Sequence, residues 1–92
     1  MNNFAILRES EVFVSPTVFK EGQFRFFFFS REEPRMHVHI SCPDGEAKFW
    51  IEPIISLATY RGLNKKQLNQ MQLLVEKHID EIRSSWKQHF SS

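Results

Sequence analysis

The sequence has one cysteine, no long apolar run and almost no excess of charge. A lone Cys42 excludes an intramolecular disulfide framework and fits a reduced, cytoplasmic location. The longest aromatic run, Phe26 to Phe29, is far too short to span a bilayer. The amino terminus lacks the basic and apolar regions of a signal peptide. We therefore expect a cytoplasmic protein that makes no membrane contact.

Charge and glycine content narrow the possible ligands. The formal net charge is only +1, so no strong overall field draws the protein to nucleic acid, and such binding depends on local clustering. The three glycines stand where turns need them and form no phosphate-cradling loop. We predict no bound cofactor.

Phenylalanine is abundant, with ten residues in a chain of 92. A chain of this length has room for one domain, whose thin core cannot easily hide so many rings. We therefore expect some of the rings to serve an interface. Residues 17–92 are interpreted as a single α+β domain. Residues 1–16 are interpreted as an N-terminal arm or an extra edge strand.

Alternation of apolar and polar residues predicts a small, mostly antiparallel sheet of about four to five strands. The segments 36–41 and 46–51 alternate with period two, and Pro43-Asp44-Gly45 between them has turn chemistry. Aromatic content predicts a strand over 24–29, preceded by a hairpin turn at Glu21-Gly22. A last short strand is expected within 54–60.

One long C-terminal helix is predicted to pack on this sheet. Asn64 stands at the N-cap position, and Gln67 three residues later completes a capping box. Apolar residues then recur at steps of three and four over roughly 27 residues, which gives a helix about 40 Å long. Since a small sheet cannot cover that length, we expect the end near Trp86 to project or to pair with another chain.

Several stretches of the sequence carry motifs of a known family: Thr17-Val18-Phe19, 22–30, His37-Val38-His39-Ile40, 45–50, Leu57-Ala58, Gly62-Leu63 and the helix that ends in Trp86. Over about residues 17–90 they resemble the bacterial family called domain of unknown function 4160. The resemblance implies an uncharacterised family, often encoded beside domain of unknown function 2442 proteins and suspected to form toxin–antitoxin-like pairs. It carries no established catalytic residue to this chain.

Strand parity gathers the candidate binding residues on one face of the sheet. Residues i and i+2 of a strand share a face, so His37 and His39 point away from the apolar side that suits the helix. The candidate residues on this opposite face are Arg25, Phe27, Phe29, His37, His39, Lys48 and Trp50.

Two chemical functions fit this face. Basic and aromatic side chains interleaved on a sheet can bind single-stranded RNA. Alternatively, His37 and His39 can act as acid and base in metal-independent RNA cleavage, with Lys48 or Arg25 on the phosphate. These four residues are the catalytic candidates.

A metal site and a purely structural role are the remaining alternatives. Two histidines on one face can begin a metal site, but Cys42 has the wrong parity to join them, so Glu46 or a second chain would have to contribute. We predict no metal. In the structural interpretation, the arm or a dimer partner covers the rings, and the histidines are hydrogen-bonded.

The sequence favours a small intracellular protein-interaction or regulatory module over an enzyme. We expect a small protein partner, or self-association, through the aromatic sheet face or the Trp86 end of the helix. Toxin–antitoxin-like pairing is what the family resemblance adds. RNA binding, or a metal-independent RNase, is the alternative function.

Overall fold

A five-stranded antiparallel sheet with two C-terminal helices forms the domain, which confirms the predicted α+β class. The computed structural model describes residues 17–29 and 33–90, so the predicted arm over 1–16 lies outside the described residues. The strands are β1 (Thr17–Glu21), β2 (Phe24–Phe27), β3 (His37–Cys42), β4 (Gly45–Trp50) and β5 (Ser56–Arg61). The helices are α1 (Lys65–Lys77) and α2 (Ile79–Phe90).

The strands follow one another in the sheet in chain order, β1 to β5. Short turns make this meander the simplest arrangement, because each strand pairs with the one that precedes it. Gly22 has a φ of 59° in the β1–β2 turn, a value that glycine adopts without a steric penalty. Between β3 and β4, a Cβ at Gly45 would collide with the Arg61 carbonyl, so this close approach of β5 requires glycine.

One face of the sheet and both helices enclose the hydrophobic core. Alternate residues of the three central strands point to the helices and are buried, as period-two alternation predicts. The apolar stripe of the helices packs on them through Met71, Val75, Ile82 and Trp86. The opposite face of the sheet is therefore free of helix among the described residues, and we call it the helix-free face.

The single helix expected from the sequence is divided at His78. The predicted capping box is present, because Asn64 Oδ1 accepts from the Gln67 amide at 2.8 Å and Gln67 Oε1 accepts from the Asn64 amide at 2.9 Å. His78 has φ −106° and ends α1, yet its amide still donates to the Leu74 carbonyl at 3.0 Å. The Ile82 amide likewise donates to the His78 carbonyl at 2.9 Å, so the apolar stripe keeps its phase across the division.

The far end of α2 packs into the domain. Trp86 is 8% exposed, and its ring lies edge-on to Phe28 with centroids 5.3 Å apart. Phe90 lies 4.3 Å from Trp86. The projecting end expected from the helix length is absent at Trp86, and a partner contact at this end stays a prediction. None of the helices in the described part of the chain is both long enough and apolar enough to cross a membrane.

Candidate functional site

The helix-free face holds the candidate side chains of β2, β3 and β4. Antiparallel register places Phe27 beside His39 and His39 beside Lys48, while His37 lies beside Trp50. Neighbouring residues in register share a face, so these side chains stand in adjacent rows. The structure thus brings the predicted positions together, and their role in binding stays a prediction.

Aromatic rings form a continuous row across this face, with His39 near its middle. The His39 ring is stacked on Phe27 with centroids 5.5 Å apart, and it meets Phe29 edge-on at 4.5 Å. His37 meets His39 at 5.0 Å and Trp50 at 5.6 Å, both edge-on. These are favourable geometries for aromatic pairs, so the rings support one another across the face.

Three cations lie over the rings at the two ends of this row. The Arg25 guanidinium lies 4.4 Å from the centroid of Phe27. Over Trp50 lie both the Arg35 guanidinium, at 4.1 Å, and the Lys48 ammonium, at 4.4 Å. Each contact is within the range of a cation–π interaction. The face therefore combines apolar area with positive charge.

Both guanidinium groups are held in place through their Nε atoms. Arg25 Nε donates to the Thr17 hydroxyl at 2.7 Å, and Arg35 Nε donates to the Glu52 carbonyl at 2.8 Å. Neither arginine forms an ion pair with a carboxylate of residues 17–29 or 33–90. An anchored guanidinium keeps its terminal N–H groups for an external acceptor.

Unlike the two arginines, Lys48 and Arg61 are paired with carboxylates. Lys48 Nζ forms an ion pair with Glu33. At the edge of the sheet, Arg61 Nη2 lies 3.1 Å from Glu46 Oε2. The local charge is therefore positive but partly neutralised, and Arg25 and Arg35 supply the excess.

His37 is fully buried, although it points to the same face as His39. Its Nδ1 lies 2.6 Å from the Arg35 carbonyl, which requires Nδ1 to carry the proton and donate. The Trp86 ring of α2 closes on His37 with centroids 5.1 Å apart. His37 thus lies at the end of the sheet between both layers of the domain and does not meet solvent.

A shallow hollow of about 200 Å³ opens beside His39. Side chains of the helix-free face line it, including Phe27, Phe29, Lys48 and Thr59. Its lining combines aromatic rings with polar side chains, among them the Glu46 carboxylate. In size and lining it suits one side chain of a binding partner rather than a whole small-molecule ligand.

Residues 23–87 match the family model described as domain of unknown function, DUF4160. The chain belongs to the DUF4160 family. No curated protein and no solved structure matches it. All seven candidate positions of this DUF4160 domain lie within the matched residues.

No metal centre is present among the residues that the structure of this DUF4160 domain describes. No three His, Cys, Asp or Glu side chains of residues 17–29 and 33–90 converge in a way that would hold an ion. Cys42 is half-buried and packs against the core on the helix side, as its parity indicates.

Sequence reasoning missed Arg35 and Glu33 as members of the helix-free face. Strand alternation does not reach them, because Pro34 and Arg35 form a bend ahead of β3. Their placement is shown by contacts instead, since Arg35 lies over Trp50 and Glu33 is paired with Lys48. The bond from Arg35 Nε to the Glu52 carbonyl holds this loop against the chain segment that follows β4.

Proposed function

We propose that this DUF4160 domain is a protein-interaction module whose helix-free face binds a protein partner. One observation carries the proposal: the face presents a row of aromatic rings with cations over its ends, and among the described residues the helices contact this row only at its buried end, through Trp86 and His37. Tryptophan, tyrosine and arginine dominate the energetic centres of protein interfaces. Trp50 with Arg35 over its ring has this composition.

RNA is the alternative ligand, and the cations weigh against it. Base stacking needs open ring faces, whereas Arg25 lies over Phe27 and two cations lie over Trp50. Binding of a polyphosphate also benefits from a strong positive field. The net charge is +1, and Glu33 and Glu46 stand on the same face.

Metal-independent RNA cleavage has less support than either binding role. An acid and a base must both reach the reacting ribose and phosphate. His37 is fully buried and donates to a carbonyl, so it cannot reach a substrate at the surface. The toxin–antitoxin-like context rests on the family resemblance and adds a small protein as the expected partner.

Partner capture with matched variants tests the proposed function. Tagged wild-type protein is expected to retain one protein at equal stoichiometry from its source cell. Trp50→Ala and Phe29→Ala are expected to lose this protein, since both side chains are half-buried on the helix-free face. The captured protein is then purified and its binding measured by calorimetry.

Leu73→Ala is the control, because Leu73 is 64% exposed on α1, on the other side of the domain. It is expected to leave the affinity for the purified partner unchanged. Thermal melts of each variant establish that it is folded. Equal affinity of wild type, Trp50→Ala and Phe29→Ala would refute binding through this face.

A further inference from the structure

We infer that the helix-free face binds an extended acidic segment, with two carboxylates four residues apart and an apolar side chain midway between them. The inference rests on the proposed function and specifies the chemistry of the partner. Its basis is the placement of Arg25 and Arg35 at opposite ends of the ring row, with the hollow beside His39 between them.

The separation of the two guanidinium groups sets the spacing of the carboxylates. The two guanidinium groups lie over Phe27 and Trp50. These two residues are two strands apart and two residues out of register. At about 4.8 Å per strand and about 3.4 Å per residue, the diagonal between them is about 12 Å. Residues i and i+4 of an extended segment lie about 13 Å apart and on the same side.

Carboxylates suit the donors at both ends. Arg25 and Arg35 each use Nε within the domain and form no ion pair among the described residues. A guanidinium group held in this way can bind a carboxylate through two N–H groups. Such a pair fixes the orientation of the carboxylate and also attracts its charge. At the Trp50 end, Lys48 lies 4.4 Å from the same ring but is paired with Glu33, so Arg35 is the donor there.

The hollow accounts for the residue midway along the segment. Side chain i+2 points the same way as i and i+4, so it meets the face between the two arginines. There the hollow offers the rings of Phe27 and Phe29 on one wall. A leucine or phenylalanine fits this aromatic lining better than a polar residue does.

Anisotropy of labelled peptides tests the inference. The probe contains Glu-Ser-Leu-Ser-Glu, capped at both termini and labelled with fluorescein. Wild-type protein is expected to bind it. Arg25→Gln and Arg35→Gln are each expected to weaken binding roughly tenfold, which corresponds to one charge-assisted contact.

Lys66→Gln is the control variant, because it removes the same charge from the exposed surface of α1. It should leave the affinity unchanged. A peptide with glutamines in place of both glutamates should not bind, and one with the glutamates two residues apart should bind at least about tenfold more weakly. In the Arg35→Gln protein, replacing the matching peptide glutamate by glutamine should cause no further loss.

The inference and the proposed function can fail separately. If no acidic peptide binds while Trp50→Ala still abolishes capture of the natural partner, the acidic segment is wrong and the interaction face stands. If neither effect is seen, the proposed function also fails. Binding of single-stranded uridine RNA in place of the peptide would overturn the inference in favour of a nucleic-acid ligand.

Discussion

His37 and His39 stand two residues apart on one strand yet occupy different environments. Strand parity correctly assigns both to the same side of the sheet. Parity does not predict that His37 is buried, because the covering ring, Trp86, comes from the other layer and from the far end of the chain. The sequence therefore predicted which residues share the face, but it could not predict that His37 is fully buried while His39 is only half-buried.

Replacing His37 tests its structural role. We expect His37→Ala to lower the free energy of unfolding by about 2 to 4 kcal/mol, because it leaves a cavity and removes the donor to the Arg35 carbonyl. Urea unfolding followed by far-UV circular dichroism measures this change. His39→Ala is the comparison and should cost clearly less, since its ring is half-buried. Similar losses for both variants would contradict the assignment.

At the scale of elements, capping and periodicity located the start of α1 and the buried stripe through α2. They did not predict the division at His78, where the side chain makes tertiary contacts that sequence periodicity does not register. His78 Nε2 lies 2.8 Å from Glu21 Oε1 on β1, and Nδ1 lies 3.1 Å from Glu81 Oε1 on α2. The ring also packs on Phe19 at 4.1 Å. This junction links the first strand to the boundary between the helices.

The hydrogen bond from His78 holds the pKa of Glu21 below its ordinary value, and Lys77 adds to this effect. The Glu21 carboxylate therefore stabilises the fold fully above the usual glutamate pKa of about 4.3, and the stabilisation is lost as pH falls through the lower pKa of the folded state. We expect wild type to have a higher melting temperature than Glu21→Gln at about pH 6, and the difference to shrink as the pH falls below the usual glutamate pKa.

Thermal melts of both proteins across this pH range provide the measurement. In a His78→Gln background, the pH dependence of the difference should become weaker, since His78 makes the largest lowering contribution to the pKa of Glu21. A difference between wild type and Glu21→Gln that is the same at every pH would show that the junction does not depend on the carboxylate's charge.

At the scale of the whole molecule, the sequence predicted the fold class and most strands. Alternation and turn residues defined β3, β4 and the turn between them. The strand order was not predicted, and the structure shows that it follows the chain. The bounds of β5 were harder to predict. Its register shifts where Lys48 pairs with Thr59 but Phe49 pairs with Leu57, so its side chains do not follow simple alternation.

A two-layer domain with one helix-free face should respond unequally to mutation of its two sheet faces. Phe26 is fully buried beneath the helices, so Phe26→Ala is expected to lower the free energy of unfolding by about 3 to 5 kcal/mol. Phe29→Ala, on the helix-free face, should cost about 1 kcal/mol. Urea unfolding at neutral pH compares them, with Phe26→Leu as a milder substitution if Phe26→Ala does not fold. Equal losses would contradict the assignment of Phe26 to the core and of Phe29 to the opposite face.

The chain contains two tryptophans, and a single histidine ring touches both. His37 lies 5.6 Å from Trp50 on one side and 5.1 Å from Trp86 on the other. Trp86 is sealed in the core, whereas Trp50 is half-buried beneath two cations. The protein thus carries its own pair of optical reporters. In single-tryptophan variants, iodide should quench the fluorescence of Trp50 more than that of Trp86. Each layer of the domain can then be followed by the fluorescence of its own tryptophan.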